Sequence, residues 1–248
     1  MKRLVCLFLL SALLALPVFS QGLGYQEKKC ELQGYGASFT LGTASLGKGC
    51  GMVEVAYGQD RSFKSLPTSF ILSPSNRFDI GFSMNASGTF ANKTGGVSWR
   101  PDERVAFILR APLFATRKFS AAFMPRANFR LRGDLPHLYG ATVATQYNFL
   151  NRNSFVFNTT GMRGSGKAYV FQNGMDVGRT FGQVYVYTGL QLTNRRGGPG
   201  SLASELGIAL PFRFGREYPT AQAEVVFQRL DLNGKPRNGF QLRFGKTF

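Results

Sequence analysis

The sequence predicts an all-β chain that folds as a transmembrane antiparallel up-and-down β-barrel of about 12 strands, with ten or fourteen as the neighbouring counts. Three observations predict it. The chain opens with an export signal, its later segments alternate apolar and polar residues with a period of two, and no stretch has the length and hydrophobicity of a membrane-crossing helix.

The export signal comes first because it fixes the compartment. Lys2 and Arg3 precede an uncharged apolar run from Leu4 to Val18, and Val18 and Ser20 suit a signal peptidase cut before Gln21. Residues 1–20 therefore read as a signal peptide, 21–50 as an N-terminal segment and 51–248 as the barrel. Cys6 lies inside the apolar run and no cysteine directly follows the cut, so a lipid anchor has nothing to attach to.

Beyond residue 20, the most apolar stretch, Val105 to Ala115, is broken by Arg110 and Pro112, which excludes a transmembrane helix. The chain holds 30 Gly, 24 Phe and 9 Tyr, and no sustained 3.6-residue periodicity accompanies them. Period-two runs are plain instead. Leu202, Ser204, Leu206, Ile208, Leu210, Phe212 and Phe214 share one phase of a strand, and Ala203, Glu205, Gly207, Ala209, Pro211 and Arg213 the other. Comparable phases run through Phe78–Met84, Phe119–Leu131, Tyr139–Phe149, Val184–Leu192, Ala221–Phe227 and Phe240–Phe244. Shorter candidates lie at 53–57, 105–109, 155–159 and 168–171. Breakers at 194–200, 215–219 and 233–238 separate the runs, which describes a meander of hairpins.

Alternation is shared by membrane barrels and soluble sandwiches, so the polar phase must decide. A phase facing bulk water calls for Lys, Glu and Thr. Here small residues (Gly81, Gly140, Ala144, Gly189, Gly207, Ala209, Gly245) mix with Lys118, Arg126, Arg130, Arg132, Arg213 and Arg243. That mixture fits a crowded lumen in which the basic groups meet Glu54, Asp79, Glu205 and Glu224 across the barrel. The apolar phases of the seven long runs carry no charge, and a lipid-facing charge at mid-membrane would cost roughly 2–4 kcal/mol. A soluble two-layer sandwich with a dry core is the competing reading.

The last ten residues add a resemblance. Phe240, Leu242 and Phe244 alternate toward a terminal Phe248, which resembles the closing strand of bacterial outer-membrane β-barrels. In that class this strand is the assembly signal, so the resemblance implies the barrel assembly machinery as a partner and the bacterial outer membrane as the location. Lys246 departs from the pattern but can snorkel at the membrane edge. The class also implies an even strand count with both termini on the periplasmic side, short periplasmic turns and longer outer loops. Counting back from Phe248 puts 233–238 and 194–200 outside and 215–219 and 150–153 inside. A first strand within Glu31–Thr43 completes twelve, and Arg61–Asn76 is left as an overlong inner turn that could hide a strand at Ser69–Ser73.

Cys30 and Cys50 remain after processing, and an oxidising compartment makes a disulfide their default. An extended strand between them would hold them roughly 50 Å apart, far beyond disulfide reach, so the bond requires residues 31–49 to double back. Two cysteines and one histidine are too few for a structural zinc, and no cofactor motif is present.

The charge balance is basic, 30 Lys and Arg against 13 Asp and Glu for a formal net charge of +17. Its clusters, Arg130–Arg132, Arg195–Arg196 and Lys235–Arg237, fall at strand ends and outer loops. There they suit lipopolysaccharide phosphates, and an exported protein meets little nucleic acid. Enzymes of the barrel class, among them lipid A deacylases, phospholipases and omptin-like proteases, act through histidine with serine or carboxylates. The single histidine, His137, sits in the turn Gly133-Asp-Leu-Pro-His-Leu-Tyr139 near Asp134 and matches none of their motifs. The sequence thus points to a narrow porin-like channel for small polar or anionic solutes. The alternative is a closed structural or surface-interaction barrel with partner-binding outer loops, and a lipid-modifying enzyme ranks last.

Overall fold

Twelve antiparallel strands, each paired with both neighbours, close on themselves when the first strand meets the last. In the computed structural model they are β1 (Cys50–Gln59), β2 (Phe63–Ser75), β3 (Phe78–Phe90), β4 (Val97–Ala115), β5 (Phe119–Arg130) and β6 (Leu138–Phe149), followed by β7 (Asn153–Gly164), β8 (Tyr169–Phe181), β9 (Val184–Arg195), β10 (Ser201–Phe212), β11 (Ala221–Leu232) and β12 (Lys235–Thr247). The structure describes Cys30, Thr43 and residues 45–59, 63–90, 97–116, 118–131, 137–149, 153–164, 169–195, 200–213, 220–232 and 235–248; for 63, 85–90, 97–104, 195, 232 and 235 this holds for the backbone alone. The expected signal peptide lies outside the described residues.

One sequence expectation is corrected and one lies almost wholly outside the described residues. The latter is the strand expected within Glu31–Thr43; the barrel closes through β1, which pairs from Met52↔Thr247 to Gln59↔Phe240 on one side and from Cys50↔Ser73 to Gln59↔Lys64 on the other. The stretch 61–76 holds β2 and is not an inner turn, and the turn proper shrinks to Asn76–Arg77. Strand β2 hid because its phases are mixed: Ile71 faces the lumen among Ser65, Ser69 and Ser73, and Pro67 interrupts the run. With both termini on the periplasmic side, the connections 76–77, 116–118, 150–152, 182–183 and 213–220 are periplasmic. The outer ones are 60–62, 91–96, 131–137, 165–168, 196–200 and 233–234, so the inner connections are mostly shorter, and 213–220, which holds the expected short inner turn 215–219, is instead the longest connection.

The apolar phases face outward. Leu206, Ile208, Val225, Phe227 and Leu242 are exposed, Leu206 by 49% and Phe227 by 56%, whereas Val226 between two of them is at 0% and Ala209 at 1%. An exterior with that composition is stable only against lipid. Charged residues on the outward phase of the described strands stand near strand ends: Arg179 and Lys246 toward the periplasm, Lys64, Arg163, Arg229 and its ion-pair partner Asp231 toward the outside. The long Lys and Arg stems let the charge reach the interface, and the Arg179 guanidinium lies over the Phe181 ring at 5.0 Å. A run of aromatic contacts crosses the exterior from Phe248 to Phe70, Phe82, Phe107, Phe129 and Tyr139, with ring centroids 5.5–6.3 Å apart. It climbs from the periplasmic edge toward the outer edge because the strands are staggered. Register shifts between Met84 and Ala86 and between Pro112 and Phe114 bend β3 and β4, the second at a proline that cannot donate to the ladder.

Candidate functional site

The lumen is the candidate site, and its charges segregate by strand. Arg243 of β12 sits between Glu54 of β1, with Nε–Oε1 at 3.6 Å, and Glu224 of β11, with Nη1–Oε2 at 3.1 Å. Glu224 also accepts a hydrogen bond from the Tyr187 hydroxyl on β9. On β10, Glu205 accepts from Gln228 Nε2 at 3.3 Å, and Gly189 lies between Glu205 and Asp176 of β8, where a Cβ would meet both side chains. Facing this wall, β4 and β5 present Arg110, Arg126 and Arg130. Arg110 is tied to Asp79 of β3 by Nη2–Oδ2 at 2.6 Å and Nε–Oδ2 at 2.8 Å. Arg126 donates from Nη1 to Thr142 Oγ1 at 3.3 Å, and its buried Nε has no hydrogen-bond partner among the described residues.

The ion pairs do not reach across the barrel as expected. Each joins neighbouring strands, because register places Asp79 directly opposite Arg110 and Glu224 directly opposite Arg243. Neighbouring strands lie about 4.8 Å apart, within side-chain reach, while the opposite wall of a barrel this wide lies well beyond it. Glu54, Asp79, Glu205, Glu224, Arg126 and Arg243 therefore line the lumen in two separate groups. Arg130 ends β5 and is exposed at the outer mouth. Lys118 and Arg213 are a further correction: they stand exposed outside the strands at the periplasmic rim, beside β5 and β10. Arg132 and Asp134 lie outside the described residues. His137 serves the β5–β6 hairpin, its Nδ1 accepting from the Arg130 amide at 2.9 Å.

Sequence reasoning missed Arg110 and Asp176 as wall residues. In the sequence Arg110 stands out only as a helix breaker, although it keeps the inward phase with Ala106 and Ile108. Asp176 belongs to the larger part of β8, which was read as 168–171 because Gly174, Asp176 and Gly178 hide the alternation of Met175 and Val177. The glycines have a packing reason. Tyr185 and Tyr187 stack at 5.7 Å along the wall, and their rings lie where a Cβ on Gly178 or Gly207 would fall. Apolar side chains fill much of the rest: Tyr187 with Val226, and Ala122, Met124 and Ala144 with Ile108.

A second feature of the lumen is the chain's own N-terminal segment at the periplasmic end. Cys30 and Cys50 form a disulfide with Cα atoms 5.3 Å apart. Inside the mouth, Thr43 hydrogen-bonds Ser120 Oγ of β5 at 2.6 Å and donates to Gln146 of β6 at 3.4 Å. Ser45 Oγ donates to Asp79 Oδ1 at 2.7 Å and lies 3.2 Å from Ser73 Oγ of β2. Leu46 is buried against Met52, Ile71 and the two cysteines. The chain then turns into β1 through Gly47 and Gly49, whose φ angles of 96° and 79° favour glycine.

No family model matches the chain, and no curated protein matches it. Solved structures do. The KdgM porin in complex with disordered oligogalacturonate superposes with a TM-score of 0.59 at 9% identity, covering 79% of this chain and 99% of that one. The NanC porin gives 0.57 at 10% identity, covering 79% and 98%. The COG4313 outer membrane channel from Pseudomonas putida F1 gives 0.55 at 9% identity, covering 83% and 98%. At such identities the likeness concerns the fold, and the fold of this chain, a closed twelve-stranded antiparallel barrel with an apolar exterior, is that of bacterial outer-membrane channels.

Proposed function

We propose that the protein is a narrow outer-membrane channel for small polar solutes, anions among them. The observation that carries this reading is the enclosed polar wall, where Arg126 on β5 faces the carboxylates and Arg243 of β8–β1 across the lumen. Arg126, whose buried Nε has no hydrogen-bond partner among the described residues, is a cation that pairing does not compensate, and a solute or water in the lumen would compensate it. Entry of anions is supported by exposed Lys118 and Arg213 at the periplasmic rim and by the unfilled hydrogen-bonding capacity of Arg126. The oligogalacturonate of the KdgM porin complex, a chain of sugar acids, is a ligand of that kind. Arg163 and Arg229, outward near the outer edge, would meet lipopolysaccharide phosphates. Insertion by the barrel assembly machinery through the terminal strand belongs to the same reading.

A second reading, a closed structural barrel, is favoured by the apolar clusters inside the lumen. Partner-binding outer loops suit it poorly, because the outer connections are short. Refolded protein in a planar bilayer separates the two. The channel gives stepwise conductance and, across a salt gradient, a reversal potential that Arg126→Glu moves toward cation preference. Electrical silence of folded, inserted protein selects the closed barrel.

A further inference from the structure

We propose that Thr43 and residues 45–49, latched by the Cys30–Cys50 disulfide, are a plug in the periplasmic mouth, so that the oxidised protein conducts less than the reduced one. This rests on the channel reading above. The anchors of the segment span half of the wall. Thr43 binds β5 and β6, Ser45 binds β2 and β3, Leu46 packs on β1 and β2, and Thr247 Oγ1 at the end of β12 donates to the Cys30 carbonyl at 2.8 Å. Thr43, Ser45 and Leu46 are exposed by only 2–3%, so the side chains fill the mouth instead of lying on its rim. From the other side, Tyr185 projects inward and bonds Ser154 at 2.9 Å.

The closure of the sheet does not need the segment, since β1 pairs with β2 and β12 along its own length. Among the described residues the segment is held by a few hydrogen bonds, one of them from Ser45 to the Asp79 carboxylate and one from the Gly49 amide to the Ser73 carbonyl, by one small apolar cluster and by the covalent link. A hydrogen bond contributes only a small net free energy, and about twice as much where a carboxylate accepts it, whereas ordering the chain costs a comparable amount of backbone entropy at every residue, so these contacts roughly offset the ordering and the link tips occupancy. Cys30 is partly exposed while Cys50 is buried, and attack from solvent therefore falls on the Cys30 sulfur. With dithiothreitol, one thiolate displaces Cys50 to give a mixed disulfide on Cys30. The second thiol closes the cyclic disulfide of oxidised dithiothreitol, and two electrons and two protons leave Cys30 and Cys50 as thiols.

The test is single-channel conductance of the full mature chain before and after dithiothreitol, with thiols counted and folding checked by heat-modifiable electrophoretic migration. Reduction is expected to raise the conductance roughly twofold or more, as widening of a side-chain-filled lumen requires. The double variant Cys30→Ser, Cys50→Ser should start at the higher level and ignore the reductant. Thr43→Val with Ser45→Ala, which keeps the disulfide, should fall between. Equal conductance of oxidised and reduced protein, with both thiols free and the barrel intact, overturns the plug and leaves the channel reading standing. Loss of heat-modifiable migration on reduction also overturns it, by making the disulfide a staple of the barrel. Silence of every folded form removes the channel reading, and the plug falls with it.

Discussion

Tyr187 lies over Gly207, its direct partner across the β9–β10 ladder, with the phenol ring in the space that a Cβ would occupy. The ring is 2% exposed and its hydroxyl donates to Glu224 of β11, so the glycine leaves room for a hydrogen bond that crosses its own strand.

Gly207→Val should therefore displace the ring and cost about 1–3 kcal/mol, the usual range for overpacking. Gly161→Ala, where nothing lies within 4 Å of the added Cβ, should be close to neutral. Urea midpoints in detergent compare the two. Equal midpoints for Gly207→Val and the parent would show that Tyr187 does not rest on residue 207.

Arg243→Leu should destabilise the barrel by about 3–5 kcal/mol, because it leaves Glu54 and Glu224 facing each other in a buried wall with no cation between them. Adding Glu54→Gln and Glu224→Gln should recover much of the loss, since both amides can still hydrogen-bond. The same unfolding assay decides, and additive losses in the triple variant would mean that the three residues do not act as a unit.

These two sites also mark what was legible in the sequence. Alternation at Leu202–Phe212 and Phe240–Phe244 assigned inner and outer faces without error, because one charge-free phase and one mixed phase can be told apart by composition alone. It could not say which strand lies beside which residue at what height. The partners of Arg243 and Arg110 were out of reach for that reason, since an ion pair depends on register. Strand β2 was hidden by lumenal Ile71 and Pro67, and most of β8 by Gly174, Asp176 and Gly178. In β2 an apolar residue stands on the lumenal phase and in β8 that phase holds glycine and aspartate, and either departure blurs the pattern that reveals a strand. The placement of Thr43 and Ser45 inside the mouth left no periodic trace at all.

The terminal strand carries a prediction about assembly. Phe248 exchanges backbone hydrogen bonds with Gly51 at 2.9 and 3.0 Å, and its ring stacks on Phe70 at 6.2 Å, so the last residue seals the seam between β12 and β1. Deleting Phe248, or changing Phe240, Leu242 and Phe244 to Ser, should leave little folded protein in the outer-membrane fraction. Parental levels of heat-modifiable protein in that fraction would count against a role for these residues in insertion.

The central claim is that the charge-free phases face lipid and the mixed phases enclose the lumen, and neighbouring positions on single strands test it most directly. Nitroxides placed one at a time at Leu206, Val225, Leu242 and Gln241, in the Cys30→Ser, Cys50→Ser background, would be read by electron paramagnetic resonance in liposomes. At 206, 225 and 242 collisions with lipid-soluble oxygen should dominate over those with a water-soluble nickel chelate, while at 241, one residue along β12 on the half-buried inner face, the oxygen preference should vanish. Nickel-dominated relaxation at 206, 225 and 242 would contradict the account, because those side chains would then face water.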